Sequence, residues 1–218
     1  MTSDKTGQES LYDDIESILT ERGIKSCTMD LVASRRGISK RTLYEIFENN
    51  EDMIKRTIDR MLSRHLEETE KIFRDADNVM EAITLNAFAT QRFMQHYSAP
   101  FFRDLQRQPK WRREFERGNE TARRRQRQVI ALGIKQGVFR CDVNYDIALA
   151  LVHLQHESLA CMRDIYPPEV TMAQAFESIT IGFLRSIASP KGMQILDKLT
   201  EGRLATSLEH ETIEDPTI

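Results

Sequence analysis

The sequence has little cysteine, proline or glycine. Its 218 residues include three Cys, six Pro and nine Gly. Three widely spaced cysteines, an odd number, do not form a disulfide framework, and this argues against a small disulfide-stabilised secreted protein. The scarcity of proline and glycine leaves long stretches without helix breakers. The composition therefore favours helices in a reducing compartment.

Long apolar runs are also missing. No stretch reaches the roughly 18 consecutive apolar residues that a membrane-spanning helix needs. The segment from Met1 to Lys5 has no basic stretch followed by an apolar one, the pattern of a signal peptide. We therefore expect a cytoplasmic protein with no membrane partner. The net charge of −3 on its own argues against nucleic acid as a partner, because nucleic-acid-binding domains are usually basic.

Apolar residues recur along most of the chain with the 3.6-residue period of an α-helix. The first such stripe ends at Gly23, a residue suited to terminate a helix, and consists of Leu11, Ile15, Ile18 and Leu19. Thr28, Ser39 and Asn49 precede further stripes at the position of a helix N-cap. Since no useful stretch alternates with the period of two that marks a β-strand, the sequence predicts an all-α protein.

The segment from Thr28 to Phe47 predicts two short helices joined at Gly37-Ile38-Ser39. This is the helix-turn-helix arrangement, whose second helix enters the major groove of DNA. Six basic side chains and one acidic side chain give residues 22–44 a net charge of +5. The alternative is a solvated basic face on an ordinary helical domain. The coincidence of turn glycine, inner apolar stripe and basic helix start favours DNA binding.

The segment from Leu11 to Met53 resembles the DNA-binding domain of TetR/AcrR-type transcriptional regulators. The most specific part is Gly37-Ile-Ser-Lys-Arg-Thr-Leu-Tyr-Glu-Ile-Phe47. The resemblance implies a homodimer that binds a palindromic operator in double-stranded DNA and leaves it when a small-molecule effector binds the second domain. We expect eight residues to contact DNA: Thr28, Arg36, Ser39, Lys40, Arg41, Thr42, Tyr44 and Lys55.

Three positions depart from the family pattern. Arg36 stands where alanine is common, and an exposed arginine there would add a phosphate contact. Arg41 stands where a small residue is common, which suggests contact with guanine. Asn50 replaces a usual lysine at the start of the fourth helix, so a phosphate contact is missing there, and Lys55 is expected to compensate in part.

The predicted division of the chain follows from these features. Residues 1–9 form a flexible N-terminus and residues 10–55 form the three-helix DNA-binding domain. Residues 56–200 form a larger helical domain for effector binding and dimerisation, and residues 201–218, with a net charge of −4, form a loose acidic tail.

Two apolar helices, Tyr145–Ile165 and Met172–Ile187, predict a four-helix dimer interface, which Gly182 would allow to pack closely. The alternative is core packing within one subunit. The expected interface residues are Leu151, Leu154, Ser158, Phe176, Ile179, Gly182 and Phe183.

A stretch rich in aromatic residues is the candidate effector pocket. Its expected lining residues are Phe88, Met94, Tyr97, Phe101, Phe102, Trp111, Phe115 and Asn119. Plain core packing is the alternative, and nothing in the stretch identifies the effector.

Enzymatic readings find less support. His153 and His156 share a helix face and Glu157 follows them, but the order of these residues is not that of a zinc peptidase, and polar residues at a dimer seam explain them better. Neither a phosphate-binding glycine loop nor a nucleophile elbow is present, so we expect no catalytic residues, no cofactor and no metal. Two alternatives stay open, namely a helical interaction protein that no longer binds DNA, and an activator rather than a repressor.

Overall fold

The computed structural model describes residues 2–107, 126–159 and 170–211. In these ranges the regular structure is helical, apart from one isolated antiparallel bridge between Phe139 and Ala188. The helices are α1 (Thr2–Arg22), α2 (Met29–Arg36), α3 (Lys40–Ile46), α4 (Asn50–Asp75), α5 (Val79–Gln95), α6 (Ala99–Arg107), α7 (described over 126–135), α8 (Tyr145–Ser158), α9 (Met172–Ile187) and α10 (Pro190–Glu211). The prediction of an all-α protein is confirmed.

The first core lies between α1, α2, α3 and the first half of α4. The apolar stripe of α1 is buried in it, together with Val32 of α2, Leu43 of α3 and Met53 of α4. These side chains recur every three or four residues along their helices, so each helix presents one apolar face to the others. Burial of those faces is what holds such short helices together, because helices of seven or eight residues are not stable alone.

The second core joins α5, α7, α8, α9 and α10. Val138 and Phe139 follow α7 and are buried in this core. The Arg140 N–H donates to the Ile187 carbonyl at 2.9 Å, and the Ser189 N–H donates to the Val138 carbonyl at 3.0 Å. The turn after α7 is thereby fixed to the end of α9.

Helix α4 passes through both regions. Its first half contributes Met53, Ile58 and Met61 to the first core. Further along, Thr69 Oγ1 donates to Asn86 Oδ1 of α5 at 2.8 Å. The domain boundary expected between residues 55 and 56 therefore falls inside one continuous helix.

Helix α6 packs against the C-terminal end of α1. The Ser98 N–H donates to the Thr20 carbonyl at 2.8 Å, and the Lys25 N–H donates to Oδ2 of the buried Asp104 at 2.8 Å. Gly23 has φ of 87°, and a Cβ at this position would lie 2.9 Å from Asp104 Oδ2. The chain turns closely here, and this contact links the first core to the rest of the molecule.

Two segments expected to be loose are helical. Helix α1 begins at Thr2 and α10 extends to Glu211, while residue 1 and residues 212–218 lie outside the described residues. The reason is cooperativity: once a buried stripe nucleates a helix, each added residue gains a hydrogen bond without a new nucleation cost. The flexibility of residues 1–9 and 201–218 stays a prediction.

Candidate DNA-binding interface

The helix-turn-helix is built by two capped helices and one left-handed glycine. The Thr28 hydroxyl accepts from the Leu31 N–H at 3.2 Å and caps α2, and the Ser39 hydroxyl accepts from the Thr42 N–H at 3.2 Å and caps α3. Between them Gly37 has φ of 70°, a region that L side chains rarely adopt. The caps and the turn expected from the sequence are all present.

Helix α3 has one side buried in the first core and one side exposed to solvent. Leu43 is fully buried and Phe47, just past the helix, is nearly so, while Ile38 packs in part against the same core. The rest of α3 presents five exposed residues, the acidic Glu45 and the four expected to contact DNA, Lys40, Arg41, Thr42 and Tyr44. The last four offer two cations, a hydroxyl and a phenol, which suit phosphates and base edges.

The side chain of Arg41 is 90% exposed. Tyr44 is 57% exposed, one turn from Arg41 along α3. Arg41 lies in the first turn of α3, and in a helix-turn-helix the N-terminal residues of the second helix contact base edges.

Acidic side chains offset the basic charge of this region. Arg35 Nη1 lies 3.6 Å from Glu21 Oε2, and Arg41 Nε lies 3.4 Å from Glu45 Oε1. Lys40 pairs with Asp30. The net charge of +5 counted over residues 22–44 therefore overstates the positive charge of the folded surface, since Glu21 and Glu45 lie just outside that window.

Arg36 is directed toward α1. Its Nη1 lies 2.5 Å from Asp14 Oδ2 and donates to the Ser10 hydroxyl at 2.8 Å. Its side chain is partly buried between α1 and α2. The side chain of Arg36 therefore packs α2 against α1, and its contact with a phosphate stays a prediction.

Asn50, at the start of α4, also faces inward. Its Nδ2 donates to the Cys27 carbonyl at 3.0 Å, which ties the start of α4 to the segment before α2. Asn49 caps the helix by accepting from the Asp52 N–H at 2.9 Å. Lys55, one turn along α4, pairs with Asp59 at 2.8 Å. Asn50 thus makes a structural hydrogen bond at the position where the sequence resemblance leads us to expect a lysine.

An exposed apolar surface lies on α8. Ile147, Leu151 and Leu154 are 59%, 57% and 61% exposed and fall on one face of the helix. On α9, Gly182 is exposed and a Cβ there would meet no atom within 4 Å, while Phe176, Ile179 and Phe183 are partly buried. Ser158 is also partly buried. We call the three exposed residues of α8 the α8 face.

The two histidines of α8 have separate partners. His153 Nε2 lies 2.9 Å from Gln126 Oε1, and His156 Nε2 lies 3.1 Å from the Thr180 hydroxyl. The His156 ring stacks on Phe176, with 4.5 Å between ring centroids. Burial, reinforced by the nearby His153, lowers the pKa of His156 to about 4. Within the described ranges, no group of three or more His, Cys, Asp or Glu is placed to hold a metal ion.

Part of the expected effector pocket belongs to the first core. Tyr97 and Phe101 are buried in that core, and Phe102 packs against it. Phe88 is buried on α5 and Met94 is partly buried there. Trp111, Phe115 and Asn119 lie outside the described residues, so the lining of a pocket stays a prediction.

The cysteines differ in their surroundings. Cys27 is fully buried, and burial raises the pKa of its thiol to about 12, while Cys141 is exposed. The third cysteine, Cys161, lies outside the described residues. In the parts of the chain that the structure describes, no helix is long and apolar enough to cross a membrane.

Sequence reasoning missed the acidic partners of the basic residues. The spacing of Arg41 and Glu45, four residues apart on a predicted helix, is a signal that sequence alone provides. The pairing of Arg36 with Asp14 joins residues 22 positions apart, and no local pattern indicates it.

Comparison with known proteins finds similarity in structure. No family model matches the sequence, and no curated protein matches it. A TetR-family transcriptional regulator from Marinobacter aquaeolei VT8 aligns with a TM-score of 0.69 and 15% identity, covering 89% of this chain and 97% of that chain. A putative transcriptional regulator from Saccharomonospora viridis, solved in complex with choline, aligns with a TM-score of 0.68 and 14% identity, covering 85% and 99%.

A ketosteroid transcriptional regulator of Mycobacterium tuberculosis aligns with a TM-score of 0.58 and 21% identity, covering 83% of this chain and 94% of that chain. The chain therefore has the fold of TetR-family transcriptional regulators, an N-terminal helix-turn-helix followed by a larger helical domain. The fold implied by the sequence resemblance is confirmed.

Proposed function

We propose that the chain is a TetR-type transcriptional regulator that acts in the cytoplasm as a homodimer, represses transcription from a palindromic operator, and is released by a small-molecule effector. The observation that carries the proposal is the exposed side of α3. Lys40, Arg41, Thr42 and Tyr44 face solvent there, while Leu43 anchors the helix in the core.

Each exposed residue has a role suited to its chemistry. Arg41 donates to guanine O6 and N7, the commonest specific contact in the major groove. Lys40 and Tyr44 contact phosphates, and Thr42 contacts a phosphate or a thymine methyl group. Thr28 and Ser39 lie at helix N-termini, where backbone N–H groups and the positive end of the helix dipole attract phosphate. Lys55 adds a cation near the start of α4.

Dimerisation is supported by the α8 face. Three exposed large apolar side chains in one row are costly in water, and a second copy of the same surface would cover them. The open space at Gly182 allows a neighbouring helix to approach closely. Leu151, Leu154, Ser158, Phe176, Ile179, Gly182 and Phe183 form the proposed interface. A dimer presents two recognition helices to the two halves of a palindrome.

Effector release is supported by the contact between α6 and α1. The bonds from Ser98 to Thr20 and from Lys25 to Asp104 mean that a shift of α6 would move the helix-turn-helix. The similar regulator from Saccharomonospora viridis was solved with choline, so this fold admits a small molecule. Phe88 and Met94 of α5, with Trp111, Phe115 and Asn119, are the remaining candidates for the pocket.

Substitution of the two most exposed recognition residues tests the proposal. Arg41→Ala and Tyr44→Ala should each weaken binding to the selected operator by about tenfold or more per dimer, because each removes contacts in both half-sites. Equilibrium gel-shift titration at fixed salt measures this. Arg74→Ala, which removes an exposed cation from the far end of α4, is the matched control and should bind normally. Unchanged operator affinity in both α3 variants would contradict the proposed interface.

A further inference from the structure

Two acidic side chains lie on the same exposed side of the helix-turn-helix as the proposed DNA contacts. Glu45, in the last turn of α3, pairs with Arg41, and its side chain is 63% exposed. Asp30, in the first turn of α2, pairs with Lys40. Each of the two cations that begin α3 therefore has an exposed acidic partner, which is unexpected on a surface that meets a polyanion.

Stability does not account for Glu45. An ion pair this exposed is screened by water and salt and contributes little to folding. Helix α3 is already held by the Ser39 cap and by the burial of Leu43. The carboxylate can therefore leave Arg41 at little cost when DNA approaches, which frees both side chains for other partners.

A carboxylate in the major groove distinguishes between bases. It is repelled by phosphates, but it accepts a hydrogen bond from the N4 amino group of cytosine, while arginine donates to O6 and N7 of guanine. A G·C base pair presents both sets of atoms in the same groove. Arg41 and Glu45 lie one helical turn apart on the same side of α3, so they are placed to read the same base pair or adjacent ones.

We propose that Glu45 determines base specificity in the DNA recognition proposed above, on which this inference rests. It accepts from cytosine N4 while Arg41 contacts the guanine of a neighbouring base pair, and its carboxylate is repelled wherever it faces an acceptor atom, such as N7 beside the amino group of adenine. Its negative charge also limits attraction to unrelated DNA, because it offsets one of the cations of α3.

The test uses full-length wild type and Glu45→Gln on the palindrome that the wild type selects. Each cytosine of the half-site is replaced in turn by adenine, in both half-sites, at fixed salt. We expect the wild type to lose about tenfold or more in affinity at one cytosine position. Glu45→Gln should lose this preference or favour adenine there, since glutamine pairs with adenine N6 and N7. It should also bind an unrelated duplex more tightly.

Two further variants separate specificity from charge. Glu67→Gln makes the same charge change at an exposed position on α4, about 26 Å along the helix axis from its start, and should keep the wild-type preference. Glu45→Ala should lose the cytosine preference without gaining one for adenine. Circular dichroism checks that each variant folds as the wild type does.

The outcomes distinguish this inference from the proposed function. If Glu45→Gln raises affinity for every duplex by the same factor, Glu45 acts only through charge and the inference is overturned. Equal affinities of Glu45→Gln and wild type for every duplex would also overturn it, while the proposed DNA binding would stand. If the wild type selects no palindrome, the proposed function fails, and this inference fails with it.

Discussion

Paired charges, rather than a uniformly basic surface, characterise the helix-turn-helix at the scale of single residues. Arg36 bridges α2 to Asp14 of α1, and Arg60 bridges α4 to Asp13 of α1, with 3.0 Å between Nη1 and Oδ1 in the second pair. Both pairs are only partly buried, so each contributes modestly by itself. Together they use arginines to orient helices, which leaves the face of α3 to carry most of the proposed contacts with DNA.

His156 gives a prediction for stability against pH. In the folded protein it stays neutral down to pH about 4, whereas in the unfolded chain it takes up a proton below its ordinary pKa of 6.5. Between these values the unfolded state binds more protons, so the free energy of unfolding falls as the pH is lowered. The contribution reaches at most about 3 kcal/mol. Relative to wild type, His156→Gln should lose this part of the pH dependence.

Urea unfolding between pH 4.5 and pH 8, at one protomer concentration, measures this difference. His96→Gln, at the exposed C-cap of α5, is the control and should follow the wild-type curve. Curves for wild type and His156→Gln that run parallel across the whole range would contradict the burial of a neutral imidazole.

Single residues were predictable where the signal is local. Thr28, Ser39, Gly23 and Gly37 act within a few positions of themselves, and capping or a positive φ needs only those residue types at those spacings. The inward direction of Arg36 was not predictable. Its partner comes from another helix, and a local pattern does not specify how helices pack.

At the scale of helices, α8 divides its apolar residues between two surfaces. Leu149 and Val152 are buried in the protomer, while Ile147, Leu151 and Leu154 face outward. The sequence pattern showed an unusually apolar helix, but it did not show which residues the protomer itself buries. That division depends on where α9 lies, which is why interface and core stayed open alternatives.

Leu151→Glu tests the α8 face. In a symmetric dimer the leucine is buried twice, and each burial contributes about 1.5–3 kcal/mol. The variant also places two carboxylates at the seam, so the dimer dissociation constant should rise by on the order of 100-fold or more. Sedimentation velocity across protomer concentrations measures it. Leu66→Glu, at a leucine of α4 that is 55% exposed, is the matched control and should remain dimeric. A dimer of equal affinity in both variants would contradict the proposed interface.

Helix ends were predictable from the sequence only where a capping residue or a proline marks them. The bounds expected for α9, Met172–Ile187, are those observed, because Thr171 caps the helix with a reciprocal bond to Gln174 and the chain leaves it just before a proline. The start of α1 and the end of α10 extend beyond the apolar stripes that the sequence shows, because polar residues continue a helix that a neighbouring apolar stripe has begun.

At the scale of the whole molecule, the net charge of −3 is consistent with a small recognition surface. The acids of α1 pair with arginines of α2 and α4, and Glu45 and Asp30 pair with the cations of α3. Non-specific attraction to DNA should therefore be modest. In the proposed function, affinity then depends on presenting the α3 surface twice, as the proposed dimer would.

Selection of bound sequences from a random duplex pool, with the full-length wild type near physiological salt, tests the central claim most directly. We predict one enriched palindrome, with half-site centres about 10 base pairs apart or a multiple of that spacing, and an affinity that falls steeply as salt is raised. Failure to enrich any sequence, or enrichment of a motif without two-fold symmetry, would contradict a dimeric regulator that reads DNA with α3.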